Sequence, residues 1–345
     1  MSNLFASRER AEMRMANRDI LAIGTSAGGF EALRFLAREF PPDLPASVLC
    51  VIHMPSHYNS SLDAILTQEG PLPASFAKDG ENLETAHIYI GPPASHLIVC
   101  GDRVQLGNGP RENHSRPSID PLFRSTALCC GSRAIGVVLT GTLGDGASGL
   151  ATLKRCGGIT VVQDPSDAAF PEMPATALDR AQPDHVTSLR GMPALLQKLV
   201  NSPAGPPTPV PDEIRYEVGV ARGEKMNMKE MDRIGRRSVL ACPDCHGVMW
   251  EIDDGELIRY RCHVGHAYTA ELMSLAIDEN LSRAMASALR ALDERIALAE
   301  KLRHQAQSAG RQHLAEVWAG REKEAAAEAK IIRNSIARVE ELTRK

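Results

Sequence analysis

Between Asp19 and Val200, short runs of buried-type residues alternate with stretches whose apolar residues recur at helical spacing. This alternation narrows the possible folds more than any other feature of the chain. Ile20–Ile23, Ser47–Ile52, His87–Ile90, Ala134–Leu139 and Ile159–Val162 read as continuous apolar strands. Gly29–Arg38, Ser60–Thr67, Asp120–Cys129, Gly146–Arg155 and Met192–Val200 have the length and periodicity of helices. Strands that are apolar throughout must be covered on both faces, so the pattern predicts an α/β fold: a doubly wound, mostly parallel sheet with helices on both faces. In such a sheet ligands bind outside the carboxyl ends of the strands, and chemistry is sought there first.

The 345 residues leave room for more than this domain, and the 43% apolar and 24% charged composition is that of a folded globular protein. The expected organisation is an N-terminal extension (1–18), the α/β domain (19–200), a proline-rich linker (201–238), a cysteine and histidine module (239–268) and a helical tail (269–345). A formal net charge of -4 provides no basic field, so nucleic acid is not expected as a partner. With no long apolar run and no apolar core in the first 19 residues, membrane insertion is not expected, and the chain reads as cytoplasmic.

Gly24-Thr25-Ser26-Ala27-Gly28-Gly29 lies where the first strand ends and the first helix begins. A serine on a sharp turn at this junction has an exposed hydroxyl, and the Ala27 amide that follows it points from the helix start toward an oxyanion. The same pattern also suits a glycine turn capped by Ser26 or a phosphate loop. His53, directly after the second strand, emerges on the same sheet edge and is the expected base, with His57, His96 and His114 as rivals. Asp145 follows the strand Ala134–Leu139 through a glycine-rich turn and is the expected carboxylate, with Asp164 as its rival.

Those segments, with Val51-Ile52-His53-Met54, Arg116-Pro117-Ser118-Ile119-Asp120, the turn Leu139 to Gly146 and the pair Met173-Pro174, resemble the catalytic domain of the chemotaxis protein-glutamate methylesterases, the CheB type, over about Asp19 to Val200. The resemblance implies a serine hydrolase with the triad Ser26, His53 and Asp145, needing no cofactor for catalysis. It would cleave methyl esters of glutamate side chains on the cytoplasmic region of chemoreceptors, or on a related signalling protein, and deamidate glutamines. Ala27, Thr142 and Arg116 are the expected oxyanion and substrate-binding residues. Thr142 stands where the family usually has a methionine, which bears on activity or substrate choice. The 18 residues before Asp19 are too few for the family's receiver domain, so no phosphorylation switch is expected. A signalling scaffold that retains an esterase fold, or an esterase for a different substrate, are the alternatives.

Beyond Val200, five prolines in the ten residues Ser202–Pro211 predict a semi-rigid extended linker. Cys242-Pro243-Asp244-Cys245 and Cys262-His263-Val264-Gly265-His266 flank a predicted hairpin, Val248–Ile252 and Leu257–Arg261 across the turn Asp253–Glu256. Two knuckles joined in this way suit a structural zinc ribbon ligated by Cys242, Cys245, Cys262 and His266, with His263 and His246 as spare ligands. The other five cysteines, Cys50, Cys100, Cys129, Cys130 and Cys156, are expected in the core. In the tail, Leu281, Met285, Leu289, Leu292, Ile296 and Ala299 share one helix face. After Gly310 a second helix carries Leu314, Val317, Ile331, Ile332, Ile336, Val339 and Leu342, which predicts a helical hairpin available for self-association or partner docking.

Overall fold

In a computed structural model of the chain, which describes residues 17–54, 61–254 and 257–343, the first apolar run forms β1 (Ile20–Thr25), buried along its whole length. It pairs in parallel with β2 (Ser47–Ile52) on one side and β7 (Ala134–Val138) on the other. Outward from these lie β4 (Ile88–Ile90) and β3 (Ala74–Phe76) beyond β2, and β8 (Ile159–Gln163) and β9 (His185–Thr187) beyond β7. The order is β3-β4-β2-β1-β7-β8-β9, and every pairing is parallel.

Alternate side chains of β1 enter two different cores. Leu21 and Ile23 pack with Leu33 and Leu36 of α1 (Gly29–Glu39), Leu62 and Leu66 of α2 (Leu62–Glu69), and Leu196 of α6 (Met192–Val200). Ile20 and Ala22 pack with Phe123 of α3 (Ile119–Cys130), Leu150 and Leu153 of α4 (Ala147–Arg155), and Met173 and Ala177 of α5 (Glu172–Ala181). The predicted doubly wound sheet is therefore the observed one. A β5–β6 hairpin (His96–Cys100 and Arg103–Gly107) adds to the second face.

The extended linker stops at Pro211. From Asp212 the chain forms α7 (Asp212–Arg222) and α8 (Met228–Ile234), and Ile214, Val218 and Ala221 of α7 pack on Ile98 of β5. The apolar residues of α7 are buried against the first domain, so this stretch is part of the fold and not a spacer. A four-stranded antiparallel sheet follows, ordered β10 (Arg236–Ala241), β11 (Val248–Asp254), β12 (Leu257–Cys262) and β13 (Ala267–Thr269). The expected hairpin is present as β11 and β12; residues 255 and 256 of its turn lie outside the described residues. Of the five cysteines assigned to the core, Cys50, Cys130 and Cys156 are buried and Cys129 is partly so. Cys100 is exposed: it closes β5 beside the left-handed Gly101 of the hairpin turn.

Five charged side chains, all at least 95% buried, join this ribbon to the α/β domain. Arg261 and Arg259 on β12 reach Glu112 and Glu217, at 3.1 and 2.8 Å, and Arg124 of α3 is paired with both glutamates. Burial pushes both carboxyls up, but Arg124 and Arg261 beside Glu112, and all three arginines around Glu217, outweigh it and hold both below the usual range. Removing a glutamate leaves three buried guanidiniums to one carboxylate. Glu217→Ala is therefore expected to destabilise the protein by roughly 3–5 kcal/mol, whereas Glu31→Ala, which removes an exposed partner of Arg34, should cost about 0–1 kcal/mol. Urea unfolding of the two variants beside wild type checks the contrast, and equal midpoints would refute it.

The fold divides between Leu272 and Met273. The long helix α9 (Ala270–Ser308) and α10 (Gln312–Thr343) form the second unit's antiparallel hairpin. Ion pairs Arg303–Glu322, Arg295–Glu328 and Arg333–Asp293 run along its length. Its core is narrower than the expected stripe. Leu292 packs against Ala325 and Ala329, flanked by Leu289, Ile296 and Ile332, while Leu281, Leu314, Val317 and Ile331 are exposed. On the second helix the fully buried contacts are Ala325 and Ala329, which the stripe read from the sequence does not include. No described helix is long and apolar enough to cross a membrane.

Candidate active site and metal cluster

β1 lies between β2 and β7, so the residues that follow these three strands share one edge of the sheet. Ser26 follows β1, His53 follows β2, and Asp145 follows β7 through the loop from Leu139 to Gly144. The Ser26 turn is fixed by Thr140, whose carbonyl accepts from Ser26 N–H (3.1 Å) and Thr25 Oγ1 (2.8 Å). Gly28 then takes a left-handed conformation, φ 75°, to start α1. A Cβ at Gly28 would also meet Phe170 and Thr140 at 3.1 Å, so both conformation and space require glycine there. The Ala27 carbonyl accepts from Thr140 Oγ1 at 3.0 Å. Neither the Ala27 N–H nor the Ser26 hydroxyl is taken by any acceptor among the described residues.

The structure brings His53 and Asp145 together, with Nε2 2.7 Å from Oδ2. The histidine side chain is 20% exposed and the aspartate 2%. Asp145 also accepts from Ser118 Oγ (2.9 Å), Ile119 N–H (2.7 Å), Asp120 N–H (3.2 Å) and Asn113 Nδ2 (2.8 Å). Burial pushes its carboxyl up, but the His53 bond and these donors outweigh it and hold it at about 2. An ionised Asp145 accepts only, so Nε2 of His53 must carry the proton and Nδ1 is the basic nitrogen. Asp120, buried beside it and also bound to Asn113 Nδ2 (2.9 Å), is pushed the other way, to about 6, by burial and by the Asp145 charge.

The rival residues are occupied elsewhere or not described. His96 is buried, with Nε2 on the Pro110 carbonyl at 2.8 Å and Nδ1 accepting from Ser118 N–H. The His114 ring lies edge-on to Tyr268. Asp164 accepts from the hydroxyl and amide of Ser166, and His57 lies outside the described residues. The Arg116 guanidinium binds the Gly109 carbonyl at 2.8 Å. Thr142 is half-buried next to Leu143, whose amide binds Glu172. Asn113 and Ser118, absent from the expected site, are revealed only by the fold. Ser118 sat in the segment Arg116–Asp120, but a serine before a helix reads locally as a cap.

In the ribbon, one ligand atom from each of Cys242, Cys245, Cys262 and His266 lies within 4.8 Å of all the others. Cys245 Sγ is 3.6 Å from Cys262 Sγ, and His266 Nδ1 is 3.5 Å from Cys262 Sγ and 3.7 Å from Cys242 Sγ. Zinc–sulfur bonds of about 2.3 Å in a tetrahedron give edges of about 3.8 Å, so these three of the six edges suit a four-ligand site. Nε2 of His266 faces Asp244 at 3.8 Å, and Tyr268 donates to the same carboxylate at 2.7 Å. Asp244 thus stands on the side of His266 from which metal-binding histidines commonly take outer support, though at 3.8 Å it is not hydrogen-bonded to the ring. His263 and His246 stand outside the cluster.

The sequence pattern of the CheB methylesterase family matches residues 21–196. The protein-glutamate methylesterase/protein-glutamine glutaminase 2 of Methanosarcina mazei is 37% identical over 191 residues, which is 53% of this chain and 52% of that protein. The corresponding enzyme of Pectobacterium atrosepticum is 36% identical over 179 residues, 51% of each chain. The chain thus spans about half the length of the curated relatives it matches. The crystal structure of the Thermotoga maritima CheB methylesterase catalytic domain is 29% identical and superimposes with a TM-score of 0.51, over 52% of this chain and 98% of that one. A matched segment that coincides with the parallel sheet and carries Ser26, His53 and Asp145 along one edge leads to one conclusion: the chain belongs to the CheB methylesterase family.

Proposed function

We propose that the protein is a serine hydrolase that removes methyl groups from glutamate side chains of chemoreceptors, and that it also deamidates glutamine side chains. The observation that carries this reading is the pair His53 Nε2–Asp145 Oδ2 at 2.7 Å, at the sheet edge where Ser26 stands on its turn. Nδ1 of His53 takes the Ser26 proton as the hydroxyl attacks the ester carbonyl. The resulting oxyanion lies toward the Ala27 amide and the Thr142 loop. Protonated His53 gives its proton to the departing methanol, leaving a glutamyl ester on Ser26. Water, deprotonated by His53, then releases the glutamate and restores the serine.

The test is release of labelled methanol from a methylated chemoreceptor by the full-length protein, run beside phosphonate labelling mapped by mass spectrometry. Methanol release with the label on Ser26 supports the reading. Labelling of Ser26 without methanol release points to an ester on a different protein. A folded protein that neither labels nor turns over favours the scaffold reading.

We further infer that Cys242, Cys245, Cys262 and His266 hold one structural zinc ion. Edges of 3.5–3.7 Å support it, as does the supply of four ligands with no open position for chemistry.

A further inference from the structure

Four of the five groups that donate to Asp145 belong to the elements of the α/β sheet and its helix α3: His53, Ser118, Ile119 and Asp120. The fifth, Asn113, is held by the ribbon. Its N–H donates to the Ala267 carbonyl at 2.8 Å, and its side-chain oxygen accepts from Thr269 N–H at 3.3 Å. Asn113 and His114 are both left-handed, φ 50° and 61°, a conformation asparagine tolerates but which nothing within a loop enforces. On either side, Arg261 of β12 binds Glu112 and the His114 ring meets Tyr268 at 5.1 Å. The residues that grip the loop adjoin the metal cluster: Ala267 follows the ligand His266, and Tyr268 binds Asp244 between the first two cysteines.

We propose that Asn113 is a positioning residue for the Asp145 carboxylate and that the ribbon, through Ala267 and Thr269, holds Asn113 in place, so that folding of the ribbon around its metal controls the esterase site. The inference rests on the triad and zinc readings above. With both amide hydrogens in use, on Asp145 and Asp120, Asn113 separates two buried carboxylates. When the amide withdraws, their repulsion is unrelieved and the pair binds a proton at higher pH. Asp145 itself loses one of the five donors that keep it ionised and fix its orientation, so the carboxylate that orients His53 binds a proton at higher pH and is held less firmly.

The experiment compares full-length wild type, Asn113→Ala, Arg261→Met and the double variant, each with zinc and after treatment with a zinc chelator. Arg261→Met leaves two arginines with two glutamates in the buried cluster, so it loosens the ribbon's hold on Glu112 without stranding a charge. Turnover is read as kcat and KM across pH, and the His53 ring-proton resonance is followed by NMR. Asn113→Ala is expected to lower kcat about 10- to 100-fold, with KM nearly unchanged, the acid limb moved to higher pH and the His53 resonance shifted. Arg261→Met and zinc removal should each reproduce part of this in wild type and add little in Asn113→Ala. Losses that multiply, or an unmoved acid limb, overturn the proposal. Absence of turnover in wild type would remove the esterase reading, and the His53 resonance then decides: unmoved in Asn113→Ala and Arg261→Met, it overturns the coupling. If no zinc is bound, Arg261→Met decides in the same way.

Discussion

Ser26→Ala is expected to reduce ester turnover by about four to six orders of magnitude while leaving the protein as stable as wild type within about 0.5 kcal/mol. The two halves of this expectation have separate causes. The Ser26 hydroxyl makes no hydrogen bond among the described residues, and the turn is held by the backbone N–H of Ser26 on Thr140 and by the left-handed Gly28. Alanine keeps the backbone donor and the Cβ, so the fold loses nothing it uses. The chemistry loses its nucleophile. In the proposed mechanism Ser26 and His53 act as one proton-transfer unit, so His53→Ala should cost about as much as Ser26→Ala, and the double variant little more. Steady-state kinetics beside urea unfolding checks both halves. Residual turnover near wild type in Ser26→Ala, with stability intact, would remove Ser26 from the reaction.

The parts of this site that were legible in the sequence are those that follow from strand topology. β1, β2 and β7 are covered on both faces, so they read as unbroken apolar runs, and the residues after them had to share an edge. Edge strands carry no such signal: β3 and β9 are three residues long and only partly buried. Helix α5 was hidden by Pro171 and Pro174, although a proline in the first turn removes an N–H that has no partner there anyway. Asn113 was illegible for a different reason. It touches Asp145 from 32 residues away and Thr269 from 156, and neither contact leaves a periodic or local trace. The buried arginines and glutamates were missed likewise: on paper Arg259 and Arg261 alternate as if on a solvated strand face, and only their partners 42 and 149 residues away show them inside. In the tail, reading apolar size found the helices and half of the seam, Leu289, Leu292, Ile296 and Ile332, but not the alanines Ala325 and Ala329 that they pack against.

Cys242→Ala is expected to remove the ion, so that elemental analysis finds one zinc per chain in wild type and none in the variant. Structural zinc in small modules contributes roughly 10–16 kcal/mol of apparent binding energy, as much as the roughly 5–15 kcal/mol that holds a typical domain together. A ribbon of four short strands, with Met249, Trp250 and Tyr268 as its main buried apolar groups, has little else to replace it. The sheet of β1, β2, β7 and β8 has cores of its own on both faces and should survive. Limited proteolysis therefore separates the two: cleavage is expected within 239–268 in Cys242→Ala and after chelation, while 19–200 resists. His263→Ala, which alters a histidine outside the cluster, should keep its zinc and its resistance. A wild-type protein that is free of metal yet resists cleavage throughout would mean that the four ligands are held by packing alone, and that the buried Arg–Glu cluster, not an ion, anchors the ribbon to the domain.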